Sequence, residues 1–209
     1  MPIVRENIAE NGCRWAIWHI TESVDELLSS SINTAIHEKA IAKFPHERRK
    51  LEYLTTRLLV EHLTNSNIEI LYHSNGKPYL ADQSFQLSLT HTVGYAAAII
   101  HPTTPVGIDV ETVSPRILKI KERFLSVNEL ENIDAQDEVK HLLLHWSAKE
   151  SVFKAMGKEE VDFRDHLHIE PFSPKCEGQF ILNETRTVNQ KSYRINYLSN
   201  DEFVLTWTF

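Results

Sequence analysis

Along the chain, the spacing of apolar residues switches between the two-residue period of strands and the three-to-four-residue period of helices. Residues 14–20 (RWAIWHI) are dense in strand formers and predict a first strand. Residues 22–44 carry helical spacing behind a Thr/Glu/Ser cap region, which predicts one helix. Residues 47–63 predict a stronger helix, because Leu51, Leu54, Leu58, Leu59 and Leu63 recur at three- and four-residue steps. A strand at 68–72, a turn at Ser74-Asn75-Gly76-Lys77-Pro78 and a hairpin of 85–90 with 95–101 around Gly94 follow.

His101-Pro102-Thr103-Thr104-Pro105 holds two prolines in five residues and predicts a lobe boundary, with lobes 1–104 and 105–209. Beyond it come a strand at 106–111, a loop with short helices over 114–133, and the longest helix at 137–156. Three strands close the chain, at 178–183, 192–198 and 202–208. Both halves thus combine helices with a few antiparallel strands and end in a hairpin. The fold class expected is α+β, in two pseudo-symmetric lobes that each pack a small antiparallel sheet with helices.

Composition narrows the partners. The 209 residues are 42% hydrophobic and 24% charged, an ordinary globular balance. A net charge of −7 is not that of a nucleic-acid binder. Cys13 and Cys176 are far apart and in no metal-ligand spacing, as in a reducing compartment. Residues 1–12 have no apolar core of a signal peptide, and the apolar run 95–100 is far too short to cross a bilayer. A cytoplasmic protein without membrane contact is expected.

The chemistry concentrates in two segments. In the strand at 106–111, alternation puts Asp109 and Glu111 on one face, and Ile108 and Val110 on the other. Adjacent carboxylates repel, and a hard cation such as Mg²⁺ relieves that cost; a solvated acidic face is the alternative. On the 137–156 helix, Val139, Leu142, Leu143, Trp146 and Phe153 form an apolar stripe that contains Glu150, with Lys149 and Lys154 at its edges. A carboxylate on a buried face needs a partner or a metal, and an i,i+4 pair with Lys154 is the simpler reading. Together, Asp109, Glu111 and Glu150 predict a metal site with lysines beside it for phosphate.

Other basic residues cluster upstream. Lys43, Arg48, Arg49, Lys50 and Arg57 outnumber Glu47 and Glu52, which predicts either a solvated face or a clamp for a remote phosphate. Lys77 sits in a turn, and Thr90, His91 and Thr92 end a strand before Gly94, where they could hydrogen-bond a diphosphate. No G-x-S-x-G, H-E-x-x-H, C-x-x-C or Walker-type loop is present, and the chain has only 6 glycines.

The ordered set Gly76-Lys77-Pro78, Leu87-Ser88-Leu89-Thr90-His91-Thr92, Gly107-Ile108-Asp109-Val110-Glu111 and the Trp146 to Gly157 stretch (WSAKESVFKAMG) resembles the 4′-phosphopantetheinyl transferases, in their two-lobed surfactin-synthetase-activating class. The resemblance spans roughly residues 45–170. Thr90 departs from the serine more usual before the histidine, but it keeps a hydroxyl.

This resemblance implies an enzyme that moves the phosphopantetheine arm of coenzyme A to a serine of an apo acyl or peptidyl carrier protein, with 3′,5′-ADP leaving. It implies Mg²⁺ (or Mn²⁺) on Asp109, Glu111 and Glu150, with Glu150 taking the serine proton and Lys154 neutralising or protonating the leaving group. Lys149, His91 and Thr90 would contact phosphates, Lys77 the nucleotide end, and Arg48 or Arg49 the 3′-phosphate. It also implies a monomer, each lobe supplying one side of the site. Arg116, Lys119, Lys121 and Arg123, interleaved with Ile117, Leu118 and Phe124, make 114–124 the expected docking segment for an acidic carrier. Another Mg²⁺-dependent phosphotransferase or phosphodiesterase, and a non-catalytic coenzyme A-binding module, are the alternatives.

Overall fold

In the computed structural model, which describes residues 2–157 and 160–209, every residue of the strand Tyr95–His101 is buried. Its Ala96, Ala97 and Ala98 carry almost no side chain, so neighbouring layers can approach both of its faces. The chain divides into two compact units, Met1–Thr104 and Pro105–Phe209.

The first unit runs β1 (Ile3–Ile8), β2 (Arg14–His19), α1 (Val24–Ser30), α2 (Thr34–Ile41), α3 (Glu47–Thr64), β3 (Ile70–Tyr72), β4 (Pro78–Leu80), β5 (Gln86–Thr92) and β6 (Tyr95–His101). An antiparallel sheet has the order β1-β2-β6-β5, and β3 and β4 pair separately. Leu54, Leu58, Leu59 and Leu63 of α3 join Leu87, Ala96, Ala98 and Ile100 of the sheet in one core. The leucine spacing anticipated this face, which at roughly 25 cal/mol per Å² of apolar burial dominates the unit's stability.

The single helix expected over 22–44 is two helices. A Ser23–Glu26 capping box starts α1, but Ser31 takes an extended conformation and ends it. The Ser31 hydroxyl accepts the Asn33 N–H, and Thr34 Oγ1 donates to the Leu28 and Ser31 carbonyls. Short polar side chains here offer the backbone partners that compete with helix continuation. The strand β1 was not anticipated either: five of its six residues are exposed, so no buried alternation marks it.

The second unit runs β7 (Gly107–Thr112), a 3₁₀ turn (Pro115–Lys119), α4 (Lys121–Phe124), α5 (Val127–Glu131), α6 (Glu138–Met156), α7 (Phe163–His166), β8 (Leu167–Ile169), β9 (Glu177–Glu184), β10 (Ser192–Ser199) and β11 (Phe203–Thr208). Its antiparallel sheet has the order β7-β11-β10-β9-β8, with α6 packed on β7 and β11. Both units follow one circuit. The strand that precedes the helices pairs with the last strand of the closing hairpin: β2 with β6, β7 with β11. The fold is the α+β arrangement of antiparallel sheets packed with helices. Among the described residues, no helix is long and apolar enough to cross a membrane.

Candidate active site

The site in the second unit begins with a close approach. A Cβ placed on Gly107 would lie 1.7 Å from the Ser151 carbonyl oxygen. Only glycine lets β7 rest directly on the backbone of α6 here. Ser147 secures the contact further along, donating from Oγ to the Asp109 carbonyl at 3.1 Å and lying 2.9 Å from Thr206 Oγ1. The β7 residues 107, 109 and 111 therefore face the helix, and Asp109 and Glu111 do share a face, as the two-residue period requires.

Five side chains meet on that face. Lys154 Nζ donates to Asp109 Oδ1 at 2.7 Å and to the Ile108 carbonyl at 3.1 Å. Trp146 Nε1 donates to Glu111 Oε1 at 2.9 Å. Glu150 lies between Trp146 and Lys154 on the helix, four residues from each. Burial pushes the Glu111 carboxyl up to about 7, with the Asp109 charge adding to the rise, while the Trp146 bond and Lys154 pull it down. Glu150 is raised by burial and by Asp109, against Lys154. One ammonium thus serves three mutually repelling carboxylates. The donor set, all hard oxygens short of positive charge, fits a divalent cation such as Mg²⁺. Among the described residues, no three acidic, histidine or cysteine side chains already converge as a metal cage.

Beside Glu150 is an open cavity of about 390 Å³, lined by Ile120, Arg123, Phe124, Trp146, Glu150, Val161, Asp162 and Phe163. The Trp146 ring meets Phe124 edge-on at 5.2 Å and Phe163 at 5.6 Å. Glu150 is thus both next to the other carboxylates and open to an incoming group.

Lys149 is elsewhere. Its side chain is fully buried, and its ammonium is held by Glu129 at 2.8 Å and by the carbonyls of Phe124 and Phe163. With three acceptors around Nζ it has no hydrogen left for a phosphate, which corrects the expected phosphate contact. The apolar stripe had placed Lys149 at an edge. In fact α6 is covered on two sides, by the sheet and by the short helices, and Lys149 faces the latter.

The docking segment also needs correction. Ile117 and Phe124 are buried in the core of the unit and Leu118 packs against it, so the apolar residues look inward. Lys121 is engaged with Glu138 at 2.7 Å. Arg116, Lys119 and Arg123 remain exposed.

In the first unit, a cleft of about 340 Å³ is lined by Arg49, Glu52, Tyr53, Arg57, Tyr72, Gly76, Pro78 and His91, among others. Glu52 organises it: its carboxylate takes Arg48 Nε at 2.7 Å and Arg49 at 3.4 Å, and His91 Nδ1 lies 3.4 Å away. Arg49 also lies 2.8 Å from His91 Nε2. Arg48 does not line the cleft. Arg57, a member of the basic cluster expected as a solvated face or a phosphate clamp, stacks over Tyr53 at 3.8 Å and donates to the Tyr72 hydroxyl. Lys77 lines a neighbouring cavity with His73 and Tyr79, and burial lowers its pKa. Thr90, adjacent to His91 in β5, is buried on the opposite face of the strand.

The comparison with known families now decides the lineage. Residues 105–208 match the model of the 4′-phosphopantetheinyl transferase superfamily, a span that holds Asp109, Glu111 and Glu150 and nearly all of the second unit. The second unit carries the match to that superfamily. It is 33% identical over 112 residues to the 4′-phosphopantetheinyl transferase gsp of Aneurinibacillus migulanus, covering 51% of this chain and 46% of the relative. It is 33% identical over 100 residues to the transferase Sfp of Bacillus subtilis strain 168, covering 46% of this chain and 44% of the relative. To the mouse L-aminoadipate-semialdehyde dehydrogenase-phosphopantetheinyl transferase it is 29% identical over 174 residues, covering 70% of this chain and 56% of the relative. The chain thus spans about half the length of the curated relatives it matches. The mouse match reaches well into the first unit, because it covers 70% of this chain and the second unit is only about half of it.

Proposed function

We propose that this protein transfers the 4′-phosphopantetheine arm of coenzyme A to a serine hydroxyl of an apo acyl or peptidyl carrier protein and releases 3′,5′-ADP. The observation that carries the reading is the grouping of Asp109, Glu111, Glu150 and Lys154 on one face, with Glu150 opening onto a cavity. Asp109, Glu111 and Glu150 would hold Mg²⁺, which when bound neutralises charge on the diphosphate. Mn²⁺ meets the same donor set.

The residues divide the remaining work. Glu150, its pKa raised by burial, takes the proton of the serine hydroxyl as that oxygen forms its bond to the β-phosphorus. The bond between that phosphorus and the bridging oxygen breaks, and the electron pair leaves with 3′,5′-ADP. Lys154 compensates the charge developing on that leaving group. Arg49 and His91 take the 3′-phosphate or the nearer phosphates, with Lys77 at the nucleotide end. Arg116, Lys119 and Arg123 attract an acidic carrier. The thiol usage, with Cys13 buried and Cys176 exposed and both unbridged, fits a reducing, cytoplasmic setting, and the proposed working form is the monomer.

The test is incubation with coenzyme A, Mg²⁺ and an apo carrier protein. The expected result is a mass gain of one phosphopantetheine on the carrier and stoichiometric 3′,5′-ADP. In Glu150→Gln the gain should slow by roughly 10²–10⁴-fold at an unchanged melting temperature. Hydrolysis of coenzyme A without carrier modification would instead identify a phosphodiesterase, and binding without turnover a non-catalytic module.

A further inference from the structure

A lysine buried to 0% exposure one residue before the proposed base calls for a physical reason. Desolvating an ammonium costs several kcal/mol unless its partners are well placed. Here they come from three separate segments: the Phe124 carbonyl at the end of α4 (2.7 Å), Glu129 in α5 (2.8 Å) and the Phe163 carbonyl at the start of α7 (3.0 Å). Glu129 extends the knot. Its carboxylate accepts the Ser126 N–H at 2.8 Å, the Ser126 hydroxyl at 2.9 Å and the Ile169 N–H at 3.0 Å.

The segments so tied are the ones that wall the cavity beside Glu150. Phe124 and Phe163, whose carbonyls Lys149 holds, both line it, and both rings pack on Trp146, the residue that fixes Glu111. Arg123, an exposed basic residue of the docking segment, immediately precedes Phe124. One buried charge therefore sets where the basic segment stands relative to the carboxylates. A well-packed apolar pair of similar volume could stabilise the fold as well as an ion pair does. What it could not do is aim two backbone carbonyls and one carboxylate at a single point.

We propose that Lys149, through Glu129, is a positioning residue for carrier recognition: it locks the 114–124 segment and the α7 start against α6, so that a docked carrier presents its serine to Glu150. This rests on the transferase reading. Its signature is a KM for apo carrier that depends on the buried pair while coenzyme A binding does not.

Two variants test it. Lys149→Met/Glu129→Leu removes both charges and leaves neither stranded. Glu129→Gln keeps the shape and removes one charge, so it serves if the double variant does not fold. The readouts are the melting temperature, coenzyme A affinity by calorimetry, and steady-state transfer with the carrier varied. Either folded variant should bind coenzyme A within about twofold of wild type. The double variant should lose about 100-fold in kcat/KM for the carrier, as a displaced site does, mostly through KM, and Glu129→Gln should lose less. A folded variant with carrier kinetics unchanged reduces Lys149 to a stabilising role and overturns the inference. Loss of coenzyme A affinity in parallel overturns it too. A wild-type protein that neither binds nor modifies an acidic apo carrier sinks the transferase reading, and this inference with it.

Discussion

Nζ of Lys154 lies 2.7 Å from Oδ1 of Asp109 and 3.1 Å from the Ile108 carbonyl, so one ammonium joins the last turns of α6 to the strand that carries the carboxylates. This contact governs the charge of the whole face, because the same lysine lowers the pKa of both Glu111 and Glu150. With metal chelated, Glu111 keeps in the fold a proton that the unfolded chain loses. Its folded value of about 7 lies above the ordinary 4.5. More protons bound by the native state means that stability falls as pH rises across that interval, and is intact below it. Thermal melts in chelator should fall between pH 4.5 and about 7, and Mg²⁺ should restore them at the upper end. Lys154→Met should make the fall steeper, move it upward in pH, and lower transfer with Mg²⁺ present. A flat profile in both proteins would contradict the coupling.

The alternation of β7 was legible because a strand allows only two faces, and the length of α6 was legible from its spacing. Other features depend on neighbours that a helical projection does not contain. Lys149 looked peripheral because the wheel shows one apolar stripe, whereas α6 is packed on two sides and its second partner is a set of backbone carbonyls. Trp146 belonged to the apolar stripe, yet its indole N–H is what holds Glu111. The signal for it was its place four residues before Glu150. The opposite faces of Thr90 and His91 were available from the same alternation that placed Asp109 and Glu111.

Gly107 offers a test of the scaffold without touching the chemistry. A methyl group there meets the Ser151 backbone at 1.7 Å, and backbone cannot rotate aside. Gly107→Ala should cost stability at the top of the roughly 1–3 kcal/mol range for overpacking, or beyond it. Gly76→Ala is the contrast: nothing lies within 4 Å of the added methyl, and only its φ of +82° opposes the change. That left-handed conformation costs roughly 1–2 kcal/mol. Urea denaturation of both variants should rank Gly107→Ala as the more damaging. The reverse order would mean that β7 and α6 can separate freely.

The two neighbouring arginines of α3 should separate cleanly. Arg49 lines the cleft and lies 2.8 Å from His91, whereas Arg48 lies outside it, paired to Glu52. If Arg49 takes the 3′-phosphate, Arg49→Ala should weaken coenzyme A binding by roughly 10–100-fold, the value of a charge-assisted bond of about 1.5–3 kcal/mol. Dephospho-coenzyme A, which lacks that phosphate, should bind the variant and the wild type alike. Arg48→Ala should change neither. Calorimetric titration with the two ligands reads this directly, and equal losses for both would move Arg49 away from the 3′-phosphate.

The proposed carrier docking leaves a short set of charges to test. Ile117 and Phe124 are in the core, and Lys121 is occupied by Glu138, so the proposal rests on the exposed Arg116, Lys119 and Arg123. Exposed charges of this kind act mainly on encounter, and their effect is screened by salt over a Debye length of about 8–10 Å. Arg116→Glu/Arg123→Glu should therefore raise KM for an acidic apo carrier by about tenfold or more at low salt, with coenzyme A affinity and melting temperature unchanged. Raising the salt should weaken the wild type toward the variant, because screening removes the attraction in one and the repulsion in the other. Transfer kinetics at two ionic strengths measure this. A KM difference that survives high salt would point instead to packing contacts around Arg123 at the mouth of the Glu150 cavity.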